Sequence, residues 1–291
     1  MKKSARQSGQ VLVLVLLSLS VVLTLVLFIL SRTITDISTS TISENSARAF
    51  SAAEAGIEKA LVIGAGSSGT IGDANFSSQV SSFAEGLKSV NYPVDLLAGE
   101  SARFWFVSHD SNGGLTCGAG KPCFSGDRIK VCWGKPGTSA DNSYTPAIEV
   151  SVFYNNSGVR IGRVAYDPNA SRRSQNFFAA PDAGSCVIEG VNYAFGKTIN
   201  FADLSIPSSV YAVDNGLILV QVRMLYNSDK NQSLGLDVNF PGNDTLPSQG
   251  VLISSTGSAG EANRRVEVFQ SFGTIPSIFD SVVYSEAGIT K

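Results

Sequence analysis

The chain has 291 residues, 43% of them hydrophobic and 16% charged, with 22 Lys and Arg against 24 Asp and Glu. That composition excludes a disordered tail, and balanced charge without a basic stripe excludes a surface built for nucleic acid. The length leaves room for a substantial core in one large domain or two small ones beyond the amino-terminal segment.

Residues 1–9 form a basic leader with Lys2, Lys3 and Arg6, ending in Gly9. Without it, 19 basic residues face 24 acidic ones, a net of −5. From Val11 to Leu30 the sequence VLVLVLLSLSVVLTLVLFIL runs for 20 residues with only Ser18, Ser20 and Thr24 polar. As a helix it is about 30 Å long, the thickness of a bilayer's hydrocarbon core. It exceeds the apolar core of a cleavable secretory signal, and Ser31-Arg32-Thr33 is a poor cleavage site, so a single membrane span is expected. The larger positive cluster precedes the span, which places the rest of the chain outside the cytoplasm.

No Gly or Pro occurs from Gln10 to Ala55, so nothing obliges the helix to stop at the membrane surface. Eight of the 13 residues from Ser31 to Ser43 are Ser or Thr, which makes this patch the weak part of the rod. Helix signals return from Glu44 to Leu61. Glu44 and Arg48 form an i,i+4 pair, and Phe50, Ala53, Ile57, Ala60 and Leu61 make an apolar stripe that needs cover.

These residues carry a resemblance. The leader ending in Gly9, the apolar run one residue later and the segment RAFSAAEAGIEKAL (Arg48 to Leu61) resemble the amino terminus of type IV pilin-like proteins, PilX-type minor pilins especially. The resemblance implies cleavage after Gly9 by a prepilin peptidase, leaving Gln10 as a new and often methylated terminus. It also implies other pilins or minor pilins, a pilus assembly platform and membrane lipid as partners, and no cofactor. The family's usual Glu at the fifth mature position falls on Leu14. In the family that Glu neutralises a neighbour's amino terminus within an apolar filament core, and some tip subunits lack it. The resemblance therefore implies a minor subunit, tip or priming, of a type IV pilus or a related type II secretion pseudopilus, in the cytoplasmic membrane before assembly and at the cell surface or pilus tip after it. The alternative is a membrane-anchored binding or adhesin domain.

Residues 64–100 read as a Gly/Ser-rich connector and mixed segment. Gly64, Gly66 and Gly69 satisfy GxGxxG, but helical sequence precedes them and Thr70-Ile71-Gly72-Asp73 is a poor first helical turn. A helix stop and flexible connector is expected here, not a nucleotide site.

From 101 to 291 the period becomes alternating, and a β-rich domain is expected. Ala102 to Val107 and Arg128 to Trp133 read as strands; Ile148, Val150, Val152 and Tyr154 share one face of a hairpin turning at Asn155 to Gly158. A bulge is expected at Gly162, and a central strand at Ile218, Val220, Val222, Met224 and Tyr226. Gly250 to Ser255 and Arg265 to Phe269 flank the turn TGSAGEAN, in a stretch that also resembles the late hairpin of PilX-type proteins. The fold class expected is α+β, a long helix packed on a mostly antiparallel exported domain.

Four cysteines, Cys117, Cys123, Cys132 and Cys186, lie beyond the membrane in this topology and read as two disulfides. Three pairings are possible. Cys117 with Cys123, closing the loop GAGKP, and Cys132 with Cys186, tying distant segments, is favoured over the others and over a zinc site. The lone His109 reads as a polar loop residue beside DSNGG, so no catalytic triad is expected. Asp110-Ser111-Asn112 and Asp237 to Asp244 lack the spaced loop of a calcium site and read as surface turns. Asn75, Asn155, Asn169, Asn231 and Asn243 lie in N-x-S/T sequences.

Overall fold

The computed structural model describes residues 10–110 and 112–273. The chain opens with helix α1 (Gln10–Ile63). Strands β1 (Ser68–Ile71), β2 (Ala74–Ser82), β3 (Ser89–Asn91), β4 (Ser101–Trp105), β5 (Ser108–His109) and β6 (Leu115–Thr116) follow. Then come β7 (Arg128–Trp133), β8 (Ala147–Asn155), β9 (Val159–Tyr166) and the short helix α2 (Ala170–Asn176). Strands β10 (Cys186–Ile188), β11 (Val191–Tyr193) and β12 (Phe195–Asn200) precede a 3-10 turn at Phe201–Leu204 and helix α3 (Ser208–Tyr211). The last strands are β13 (Leu217–Leu225), β14 (Leu234–Asp237), β15 (Gly250–Ala259) and β16 (Ala262–Ser271). The architecture is α+β, a long apolar amino-terminal helix packed on antiparallel sheet.

The chain divides into two compact units, one comprising the residues up to Val80 with Ile253–Val268, the other Ser81–Leu252 and the residues from Phe269 onward. In the first, α1 packs on the sheet ordered β1-β2-β15-β16. The buried residues of α1 are Ala49, Ala52, Ala53, Gly56, Ile57 and Ala60, a stripe at the three-and-four spacing of one helix face. Ala49 and Ala52 share a small core with Ala74, Phe76 and Ala259. A Cβ at Gly257 would run into the Ala49 carbonyl oxygen and the Ala53 amide, and one at Gly56 into the Ser255 hydroxyl and the Phe76 ring. Helix and strand backbones thus approach at a distance only small residues allow.

This corrects the expected stripe. Ala53, Ile57 and Ala60 are in the seam, but Phe50 and Leu61 are 46% and 42% exposed. Each lies one position, about 100° around the helix, past a buried alanine. The connector is corrected too. Ser68–Ile71 and Ala74–Ser82 pair antiparallel from Ser68↔Ser77 to Ile71↔Ala74, turning at Gly72-Asp73. A Cβ at Gly69 would press on the Phe76 ring at 2.8 Å, so this glycine serves packing and not flexibility. The β structure begins at 68, well before 101.

In the second unit, two four-stranded sheets, ordered β12-β7-β14-β3 and β4-β13-β8-β9, share one core. Ile129, Val131 and Trp133 of β7 enter it with Leu234 and Leu236 of β14; Val220, Val222 and Met224 of β13 enter with Ile148, Val150 and Val152 of β8. These are the period-two positions of the sequence. β13 is central, between β4 and β8, although Tyr226 lies past its end at φ +71° and 38% exposed. The β8–β9 hairpin holds an unbroken register from Ile148↔Tyr166 to Asn155↔Val159, so there is no bulge at Gly162. A Cβ there would meet Leu204 at 3.0 Å, which explains the glycine by close packing. The register shift lies instead between Leu217 and Leu219 of β13.

Candidate functional site

The candidate site is α1 and what supports it. The helix has 54 residues, about 80 Å at 1.5 Å per residue. Among the described residues it is the one helix long and apolar enough to cross a membrane. Leu14, Phe28 and the other large residues of Val11 to Leu30 are exposed on every side. Hydroxyls in a rod of this kind need acceptors. Ser18, Ser20 and Thr24 donate to the carbonyls of Val15, Leu17 and Val21 three residues back, at 2.8 to 2.9 Å. Thr33, Thr35, Thr39 and Thr41 donate to carbonyls four residues back, at 2.9 to 3.0 Å. The Ser/Thr patch is therefore helical throughout, its four threonine hydroxyls turned onto its own backbone.

Below the seam, Arg48 pairs with Glu44 at 2.6 Å and with Asp73 at 3.3 Å, and Arg264 donates to the Ser46 hydroxyl at 2.8 Å. The helix stops at Gly64, whose φ of +72° and N–H bond to the Ala60 carbonyl make a left-handed cap. Gly64, Gly66 and Gly69 are thus a cap and a hairpin, with no strand before and no helix after to cradle a pyrophosphate. Gln10 is the first helical residue, and the cleavage position Gly9 lies outside the described residues.

The disulfides are Cys117–Cys123 and Cys132–Cys186, with Cα atoms 5.6 and 5.7 Å apart. The second joins β7 to β10 beneath the β10–β11 ladder. A Cβ at Gly196 would strike Cys186, and one at Gly235 would strike Ile188 and Tyr193, so two glycines make room for this second small core. Burial, with Asp95 nearby, pushes the Tyr193 hydroxyl up to about 12, and it donates to Asn91 Oδ1 at 2.6 Å.

His109 is not a polar loop residue. It is buried on β5, stacked on Phe272 at 3.9 Å and edge-on to Trp105 at 4.4 Å. Its Nδ1 has no hydrogen-bond partner among the described residues. Burial lowers its pKa, Asp110 opposes this and Lys121 adds to it. Asp110 accepts from the amides of Asn112 and Gly114, and Asp237 from that of Asn239, so both acidic clusters are turn-formers. Among the described residues no group of three or more His, Cys, Asp or Glu stands close enough to hold a metal ion. Asn169 and Asn243 are buried and bonded to backbone, while Asn75, Asn155 and Asn231 are exposed.

Sequence reasoning missed a buried ion pair. Asp167, fully buried, receives Arg172 through two nitrogens at 2.6 and 2.8 Å, the Asn169 amide at 2.9 Å and the Asn176 side chain at 2.8 Å. Burial pushes this carboxyl up, but those donors outweigh it and hold it below the usual carboxylate range. Arg172 also donates to the carbonyls of Ser143 and Thr145 and stacks over the Tyr226 ring at 3.8 Å. The available signal was Asp167-Pro168-Asn169: Asn169 caps α2 through the Arg172 amide, which fixes Arg172 one turn from the carboxylate.

No protein-family model matches the sequence, no curated protein matches it significantly, and no solved structure matches its fold.

Proposed function

We propose that the chain is a minor subunit, tip or priming, of a type IV pilus or a related type II secretion pseudopilus. In this reading it sits in the cytoplasmic membrane through α1 with its β-rich part outside, is cut by a prepilin peptidase after Gly9, and leaves the lipid to pack against other pilins or minor pilins on an assembly platform. The reading assigns no enzymatic activity. The observation that carries it is α1 itself: one unbroken helix, bare and apolar over its first part and locked to a sheet by small residues over its last. A tether needs about 20 residues to span a bilayer, whereas this helix continues far beyond that with its threonine hydroxyls bonded to its own backbone. Leu14 offers no carboxylate for a neighbour's terminal amine, which suits a subunit with a neighbour on one side only.

The test is the intact mass of native material together with crosslinking in the membrane. The reading expects Gln10 as the first residue, methylated, and pilin-family neighbours among the crosslinked chains. Retention of Met1 or Lys2 with no such neighbours would leave a tethered binding or adhesin domain, a second reading favoured by the self-contained core of the second unit. Recovery as the repeating subunit along filaments would refute the minor role.

A further inference from the structure

The Asp167–Arg172 pair is out of proportion to anything it holds in the core. A buried ion pair is a poor source of net stability, and its better use is to fix geometry. Here the geometry fixed belongs to a surface tyrosine. Arg172 holds the carbonyls of Ser143 and Thr145, the residues on either side of Tyr144. Asn142 accepts from the Tyr144 amide at 3.0 Å, and buried Thr145 reaches the Ser139 carbonyl at 2.7 Å. Tyr144 itself is 48% exposed. An aromatic left in solvent on a loop held from four directions is pre-organised for contact.

Tyr144 lines a cleft of about 410 Å³, within the range of small-molecule sites. The floor is Gln232, buried, whose Oε1 accepts from the Lys135 amide at 2.8 Å. Its Nε2 has no acceptor among the described residues, so two N–H donors remain for a ligand. Thr138, Ser139 and Asn142 add hydroxyl and amide groups to the walls. Charge is balanced: Lys135 is paired with Asp95 at 2.7 Å, and Lys230 stands beside Asp229. The lining has no cationic excess for an anion and too little apolar surface for an acyl chain. Convergent neutral donors and acceptors beside one aromatic face fit a neutral, hydroxyl-rich ring.

We propose that this cleft binds a neutral saccharide, one or two pyranose rings, with a ring face laid on Tyr144 and hydroxyls bonded to Gln232, Thr138 and Asn142. The site is independent of α1, so it stands or falls separately from the filament reading.

The experiment uses the full chain in lipid nanodiscs, free of glycoside detergents, with empty nanodiscs as background. The probes are glucose, galactose, N-acetylglucosamine and their β-linked disaccharides, read by saturation-transfer NMR and titration. The expected result is saturable binding of at least one probe, weakened about tenfold or more by Tyr144→Ala and unchanged by Phe177→Ala, a still more solvent-facing aromatic outside the cleft. Absence of saturable binding with every probe would overturn the proposal. So would binding that survives Tyr144→Ala.

Discussion

The two units solve the same problem, hiding apolar surface against a sheet, with opposite materials. The helix-bearing unit uses Ala49, Ala52, Ala53, Gly56 and Gly257, and its contact is backbone against backbone. The sandwich unit uses Trp133, Phe104, Phe106, Phe124 and Phe201, all essentially fully buried, and its contact is ring against ring and branched chain. The first kind of seam, Ile57 and Phe76 apart, has little volume to lose and no space to gain. The second has much to lose. The same substitution rules must therefore act with opposite sign in the two places.

The largest effect belongs to the sandwich. Trp133→Ala removes a fully buried indole that also donates to the Pro146 carbonyl at 2.9 Å, and should cost about 3–5 kcal/mol. Chemical unfolding of the full chain, with amide exchange localising the loss to β7, β12 and β14, checks it; a change under about 1 kcal/mol would mean the core closes over the gap. Of similar size, Asp167→Ala strands the Arg172 guanidinium in a nearly buried site and should cost about 3–5 kcal/mol. The wild-type pair carries a pH sign. Because the folded carboxyl titrates below its unfolded value of about 3.9, its contribution is intact above that pH and drains away as the pH falls through the folded pKa. Melting of the sandwich should therefore drop below about pH 4, and Asp167→Asn should flatten that acid limb.

The helix seam should break by addition. Gly257→Ala, mild almost anywhere else, places a methyl on the Ala49 carbonyl and should cost about 1–3 kcal/mol, read as faster exchange in α1 from Ala49 to Ala60 and in β15. An unaffected seam would show that helix and strand can part at no cost. The smallest effect sharpens the contrast most. Phe50→Asp, at a position the sequence places in the stripe that needs cover, should cost no more than about 1 kcal/mol, since the ring is half in solvent. A large loss would restore the large-residue stripe.

What the sequence disclosed follows from which forces have a period. The long apolar helix, the strands at Arg128 to Trp133 and Ala147 to Asn155, the turn at Asn155 to Gly158 and the two disulfides all carry alternation, run length or spacing that a one-dimensional reading detects. Phe50 and Leu61 misled because hydrophobicity was weighed by size, while the partner strand required the smallest side chains. Gly69 and Gly162 misled for a related reason: a glycine that admits a neighbour's ring or side chain looks like one that bends the chain. His109 looked polar by its company, Asp110 to Gly114, yet its neighbours in space are Trp105, four positions before it, and Phe272, 163 positions after it. The Tyr144 cleft depends on Arg172 and Gln232 arriving from distant segments, and no local pattern announces that.

Part of the cover of the α1 seam comes from strands near the other end of the chain: Ser46 and Arg264, bonded to one another, are 218 positions apart, whereas β2 follows the helix directly. Translation at about 5–20 residues per second therefore delivers the helix at least ten seconds before the hairpin that seals it. Throughout that interval only β1 and β2 can cover its row of alanines. Any truncation before β15 leaves that row half covered for good, so a clone lacking only its final fifth should fail at its first helix.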